Sequence, residues 1–245
     1  MSPATATPFA RLLRAECRKA TDTRAARALL AAAVLFALAA QAVPLAFPHN
    51  VAQDRASFLT WAALGLTRLL PIALMLAMTA EWSQRTALAT FTLEPRRGRV
   101  VAAKVLASLA ITAAGGCLAF GIAQAGLTVA TAAGHHPATG WSWRELAGFA
   151  VFLLFTSGMG VAIGTALHNT ATAIVTYFAL AALASLLLIP AVAKIGSYAD
   201  PGQTFGWVLT GDWSGHGPQI ASTAVIWIAL PLVIGTARTL RRDVR

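Results

Sequence analysis

Apolar residues in this chain form long unbroken runs, without helical or alternating spacing. Six such runs stand out: residues 28–47, 58–80, 100–133, 146–167, 171–193 and 220–237. About 20 mostly apolar residues suffice for a helix to cross a hydrocarbon core of ~30 Å, so each run is a candidate span. The third has 34 residues, more than one crossing needs, and its start near Lys104 is expected at the interface or in a tilted helix. All six are rich in Ala and Leu, which favours helix. None has the ten-residue alternation of an outer-membrane barrel, and none has the polar face of a helix in a soluble bundle. The pattern predicts an all-α integral membrane protein with six transmembrane helices.

Composition agrees. Hydrophobic residues make up 57% of the 245 residues and charged residues 11%, where a soluble domain has roughly 25% charged. Too few charges remain to cover a soluble surface, and too few to keep the chain disordered. The net charge of +10 would suggest nucleic acid on a soluble body, but no soluble body is present. No nucleic-acid partner is expected; membrane lipid is.

The basic residues set an orientation. Arg11, Arg14, Arg18, Lys19, Arg24 and Arg27 precede the first run. Arg85, Arg96, Arg97, Arg99 and Lys104 lie between the second and third, and Arg238, Arg241, Arg242 and Arg245 follow the last. Fifteen basic residues thus share one side, against Arg55, Arg144 and Lys194 on the other. By the positive-inside rule both termini and the 81–99 loop are cytoplasmic. The expected organisation is a cytoplasmic amphipathic segment 1–27, a transmembrane domain 28–237 and a basic tail 238–245, in the plasma membrane. A basic N-terminus, an apolar run and Ala37, Ala39 and Ala40 also fit a cleaved secretory signal. Against it, the polar region is long and the apolar run continues through Val43 and Leu45.

Catalytic motifs are missing. Lys19, Lys104 and Lys194 follow Arg18, Ala103 and Ala193, so no P-loop is present. The five histidines lack a His-Glu-x-x-His setting, and the acidic residues fall in tails, loops or span edges. Phe155-Thr156-Ser157-Gly158 and Asp212-Trp213-Ser214-Gly215 both lack the first glycine of an intramembrane serine-protease turn. His135-His136 lacks a third metal ligand nearby and reads as a polar turn. Cys17 and Cys117 fall at different levels, which argues against a disulfide. No cofactor or metal site and no enzymatic activity are expected of this chain. Gly158, Gly160 and Gly164 give the fourth run a small-residue face for close helix packing. Trp141, Trp143, Trp207 and Trp213 fit an interfacial aromatic belt.

Arg68 is the exception to the orientation argument, because it lies well inside the second run. A charge there is costly and marks a functional candidate by default. It is a candidate for the path of a transported substrate, with Gln41 and Gln124 on neighbouring spans as candidate partners. The bland alternative is a hydrogen-bond anchor between helices.

The 81–99 loop carries the most information. Glu81 stands at the end of the second run, Thr86 follows, then Pro95-Arg96-Arg97, and Lys104 opens the third run. Residues 81–91 are expected as a short helix on the membrane surface, stopped before Pro95. This pattern resembles the permease subunits of ABC transporters of the type-2 export class. The stretch from Leu13 to Arg24, with Glu16, Lys19 and Thr23, is similar to the amphipathic connecting helix of that family. The segment 194–219 lies where the family often carries partly re-entrant outer helices. One departure is Arg85, where the family often has Gly before the Thr.

The resemblance implies a mechanism. Two permease chains, alike or different, would each dock on a separate ATP-binding subunit that holds the ATP and Mg. The helix after the second span would couple ATP-driven closure to transport, with Glu81, Arg85, Thr86 and Pro95 at the coupling contact. The cargo would be a hydrophobic or amphipathic substrate such as an antibiotic, lipid or peptide. The competing readings are an ion-coupled secondary transporter and a non-transporting membrane anchor or immunity protein.

Overall fold

The computed structural model describes residues 8–135, 137, 140–186, 193–211 and 213–241. Among these the chain is all-helical. Helix α1 (Phe9–Asp22) is amphipathic and leads through Thr23 into α2 (Arg24–Ala46). There follow α3 (Arg55–Ser83), the short α4 (Ala87–Leu93), α5 (Arg97–Ala132) and α6 (Trp143–Leu167). Then come α7 (Thr170–Leu186), α8 (Ala193–Gly196), α9 (Pro201–Thr210) and α10 (Gly217–Arg241). Five of them, α2, α3, α5, α6 and α10, are long and apolar enough to cross a membrane. The expected fifth span, 171–193, is helical from Thr170 to Leu186, and residues 187–192 lie outside the described ones. So do His136, Asp212 and the last four residues of the basic tail.

Local chemistry sets the helix starts. Thr23 Oγ1 accepts from Ala26 N at 3.1 Å and opens α2. Asp54 Oδ1 accepts from Ser57 N at 2.7 Å and opens α3. Ser142 and Glu145 form a reciprocal capping box on α6. His168 closes α6 in the left-handed region at φ 52. Helix α5, at 36 residues, is about 54 Å long and overshoots any bilayer core. Arg97, Arg99 and Lys104 lie in its first turns.

Helices α3 and α6 form the centre. Their most apolar windows are 61% buried, against 17% for α10. The spine α3 packs against α2, α5, α6 and α7. The main core gathers Phe58, Leu66, Leu70 and Leu74 of α3 with Ala33 and Ala37 of α2, Ile122 and Leu127 of α5, and Leu153 of α6. The outer helices expose Leu35, Phe36, Val129, Val175, Phe178 and Val233, an apolar exterior suited to lipid.

Small residues allow the close approach. A Cβ on Gly65 would overlap the Ala33 carbonyl oxygen of α2. On the other side, a Cβ on Gly160 of α6 would lie 2.6 Å from the Pro71 carbonyl oxygen, and one on Gly164 3.2 Å from Met75 Cα. The small-residue face of the fourth run is therefore the seam between α6 and α3. Pro71 sits inside α3 and leaves the Thr67 carbonyl without its intrahelical donor.

Three sequence expectations change. Glu81 does not open the surface helix, because α3 continues through Ser83 and the surface helix starts at Ala87. A carboxylate met by two ammonium groups, described below, gives α3 no reason to stop there. Helix α1 runs from Phe9 to Asp22, so Arg24 belongs to the first turn of α2. Finally, the segment after α7 holds buried polar structure. Trp227 Nε1 donates to Ala199 O at 2.8 Å, and Thr223 Oγ1 donates to Tyr198 O at 3.2 Å. Phe205 of α9 meets Phe155, midway along α6, at 5.5 Å between centroids. Helix α9 thus starts near half-height of the bundle and climbs to Gly211 beside Arg144. Asp200 caps it and is 3% exposed, so one acidic residue assigned to an outer loop lies deep in the bundle.

The seam generates a prediction. Gly160→Val should lower the aggregation temperature of the detergent-purified protein, consistent with about 1–3 kcal/mol of overpacking. Gly121→Val, on an open stretch of α5, should leave it unchanged. Equal melting of both variants would remove Gly160 from the seam.

Candidate functional site: an ion ring beneath a surface helix

Helix α1 buries Leu12, Glu16 and Ala20, spaced four apart on one face. A glutamate on that apolar face needs a partner. Lys104, in the first turns of α5, provides it: Lys104 Nζ lies 2.7 Å from Glu16 Oε2. Lys104 also approaches Glu81 Oε2 at 3.4 Å. Lys19 closes the circuit, at 2.8 Å from Glu16 Oε1 and 2.9 Å from Glu81 Oε1. Two carboxylates and two ammonium groups alternate in a ring that is neutral overall.

The ring ties three helices together and reaches a fourth. Thr90 Oγ1 of α4 donates to Glu81 Oε1 at 2.9 Å. Glu16 and Glu81 are 2% and 6% exposed, so each depends on its lysines. Burial pulls the Lys19 ammonium toward losing its proton. Hydrogen bonds to Glu16 and Glu81, with the field of both carboxylates, outweigh this and hold it above the ordinary lysine range. Lys19 therefore stays charged at neutral pH, and the ring stays complete.

On this base α4 lies as a platform. Ala87 and Phe91 pack inward against Val100 and Trp82. The Arg97 guanidinium stacks over the Phe91 ring at 5.0 Å and donates to Thr239 O at 3.2 Å, which brings in the end of α10. His168 Nε2 meets Thr239 Oγ1 at 2.8 Å, and its ring meets Trp82 edge-on at 4.5 Å. Arg99 Nη1 donates to the buried Glu94 at 3.0 Å and fixes the turn after α4. The outer face of α4 presents Leu88 and Leu93, the latter 83% exposed. Between α1 and α4 runs a groove of about 680 Å³ walled by Leu12 and Ala15 on one side and Ala89 and Leu93 on the other, with Glu16 and Glu81 also lining it.

The sequence candidates separate into groups. Glu81 faces inward, into the ring. Arg85, Thr86 and Pro95 are exposed beside α4. Arg85 has φ 57, in the left-handed region, which is favourable for glycine and costs another residue about 1 kcal/mol. The one departure from the family pattern therefore sits where glycine would be least strained. Arg68, Gln41 and Gln124 do not come together. Gln41 Nε2 donates to Phe58 O at 2.7 Å, and its amide lies against Gly126. Gln124 is exposed on α5 and lines a separate recess with Arg55. Arg68 lines a cavity between α3, α6, α7 and α9. Among the described residues no three of His, Cys, Asp and Glu converge as metal ligands.

Glu16, Lys19 and Lys104 complete the ring and Thr90 braces it, and none of the four was among the site residues expected from the sequence. For Glu16 a signal existed: a carboxylate at the centre of an amphipathic helix's apolar stripe. For Thr90 there was none.

The ring predicts a selective lesion. Glu16→Ala leaves Lys104 with only its longer contact to Glu81, and breaking a buried pair costs about 3–5 kcal/mol. Trypsin should then cut at Arg18 and Lys19 at least about tenfold faster, while the long helices stay protected. Unchanged cleavage would mean that α1 is held by its apolar face alone.

The chain matches no family model, and comparison with curated proteins and with solved structures returns no similar one.

Proposed function

We propose that this chain is the permease subunit of an ATP-driven exporter, with six spans, both termini cytoplasmic, and ATP and Mg held by a separate subunit. The carrying observation is the platform: a short helix with an exposed apolar face, held on a neutral buried ion ring at the end of the bundle richest in Arg and Lys. Such a helix passes force between a partner and the spans. A push on α4 reaches α3 through Thr90 and Glu81, α5 through Phe91 and Val100, and α10 through Arg97 and Thr239. Glu81 is thus a positioning residue. The direct contact belongs to Arg85, Thr86, Leu88, Leu93 and Pro95, with the α1–α4 groove beside them. Helix α7 is the sixth span in this reading. A second permease chain, identical or related, covers part of the apolar exterior. The chain itself carries out no catalysis in this reading.

One observation favours the ion-coupled reading: Asp200 is buried at half-height under a re-entrant helix, a position typical of coupling-ion sites. Its two carboxylate oxygens accept from Gly202 N and Gln203 N at 2.9 and 3.2 Å, however, so helix capping already occupies it.

Purification in mild detergent should bring down a P-loop ATPase in stoichiometric amount. Leu93→Asp should abolish that association, and Arg85→Gly should weaken it several-fold while relieving the backbone. Arg85→Lys should retain it. A chain that purifies without an ATPase and still transports under an ion gradient would refute the permease reading.

A further inference from the structure

The cavity around Arg68 lies away from the ion ring, between α3, α6, α7 and α9, with a volume of about 270 Å³. Arg68 sits near the middle of the 29-residue α3. A guanidinium carries a positive charge, and among the described residues no side chain lining this cavity is acidic. Among the described residues, the charge therefore faces a space that supplies no counter-ion.

The hydroxyls around it do not change the sign of the site. Thr60 Oγ1 donates to Ala56 O at 2.8 Å, Thr67 Oγ1 to Leu64 O at 3.1 Å and Thr156 Oγ1 to Leu153 O at 3.1 Å, so all three protons are spent on their own helices. Tyr177 lines the same cavity, and among the described residues its hydroxyl has no hydrogen-bond partner. The donors left for a ligand are the Arg68 fork and the Tyr177 O–H. Apart from these threonines the remaining wall is apolar. Phe152 and Phe205 meet edge-to-face at 5.2 Å and close one side.

We infer that this cavity binds the anionic group of an amphipathic molecule, a carboxylate or phosphate ester on an apolar tail. Arg68 and Tyr177 hold the anion, and Phe152 and Phe205 lie along the tail. A planar fork suits both anions, since each accepts two parallel N–H bonds. Water-soluble anions are disfavoured because the wall is apolar, and neutral amphiphiles are disfavoured because they leave the charge uncompensated. The small volume fits the head and first part of the tail, with the rest lying among the spans. This inference names the substrate class of the transport reading and rests on it for purpose. The binding itself needs no ATP-binding partner.

The test uses the full chain in nanodiscs of zwitterionic phosphatidylcholine, with dodecanoate, dodecyl phosphate and dodecanol as probes in equilibrium binding. Both anions should bind at least about tenfold tighter than the alcohol. Arg68→Gln should bring that ratio to about one without changing dodecanol binding. Arg68→Lys should keep part of it, Tyr177→Phe should lower it a few-fold, and Phe152→Ala should weaken all three probes together. Equal binding of anion and alcohol to the unaltered chain, or a ratio that survives Arg68→Gln, overturns the inference. Should Arg68→Gln fail to fold, the unaltered chain and Tyr177→Phe decide it. Replacing part of the phosphatidylcholine by phosphatidylglycerol distinguishes the source. Competition identifies a lipid headgroup, and its absence identifies a freely exchanging amphiphile. Loss of the anion preference would leave ATPase association standing, and loss of ATPase association would leave the anion preference standing.

Discussion

Burying a charge is among the most expensive acts in folding, and this chain buries two carboxylates at one end of its bundle. Glu16 and Glu81 are tolerable there only because Lys19 and Lys104 alternate with them at 2.7–3.4 Å. An isolated ion at such a site costs several kcal/mol, whereas a neutral alternating ring leaves little net field. The ring also fixes geometry. Its members come from three separate helices, Glu16 and Lys19 from α1, Glu81 from α3 and Lys104 from α5, so the ring fixes the arrangement of all three. Helix α4 then finds its seat through Thr90 and Phe91, and the basic end acquires a defined surface.

The apolar part of the bundle follows another rule. Between lipid-facing helices water offers no hydrophobic drive, so association rests on close packing. Helix α3 achieves this on two sides at once, with Gly65 against Ala33 and with Pro71 and Met75 against Gly160 and Gly164. The same helix carries Glu81 into the ring and Arg68 into the cavity. The basic end and the cavity are thus joined by one helix, interrupted only by the missing hydrogen bond at Pro71.

Much of the fold was legible because membrane spans are written in long apolar runs, which tolerate little ambiguity. The excess length of the third run and the packing role of Gly160 and Gly164 followed from the same logic. Helix boundaries near charges were less legible. Glu81 read as the start of a surface helix because a lone carboxylate normally ends a span, and only its lysine partners make the longer α3 possible. Asp200 read as an outer-loop residue because the resemblance suggested only that 194–219 folds back in part, and nothing local shows that Asp200 is the buried residue. Gln41 and Gln124 read as partners for Arg68 by chemistry alone, but they lie elsewhere.

The sequence by itself determined the class of the protein, the approximate spans and the asymmetry of basic residues. These depend on local composition and on the thickness of a bilayer, which require no knowledge of neighbours. Tertiary structure decided which charges compensate one another and which lie apart from them. Compensation acts over a few ångströms in space between residues as far apart as Glu16 and Lys104, and no local pattern encodes that distance.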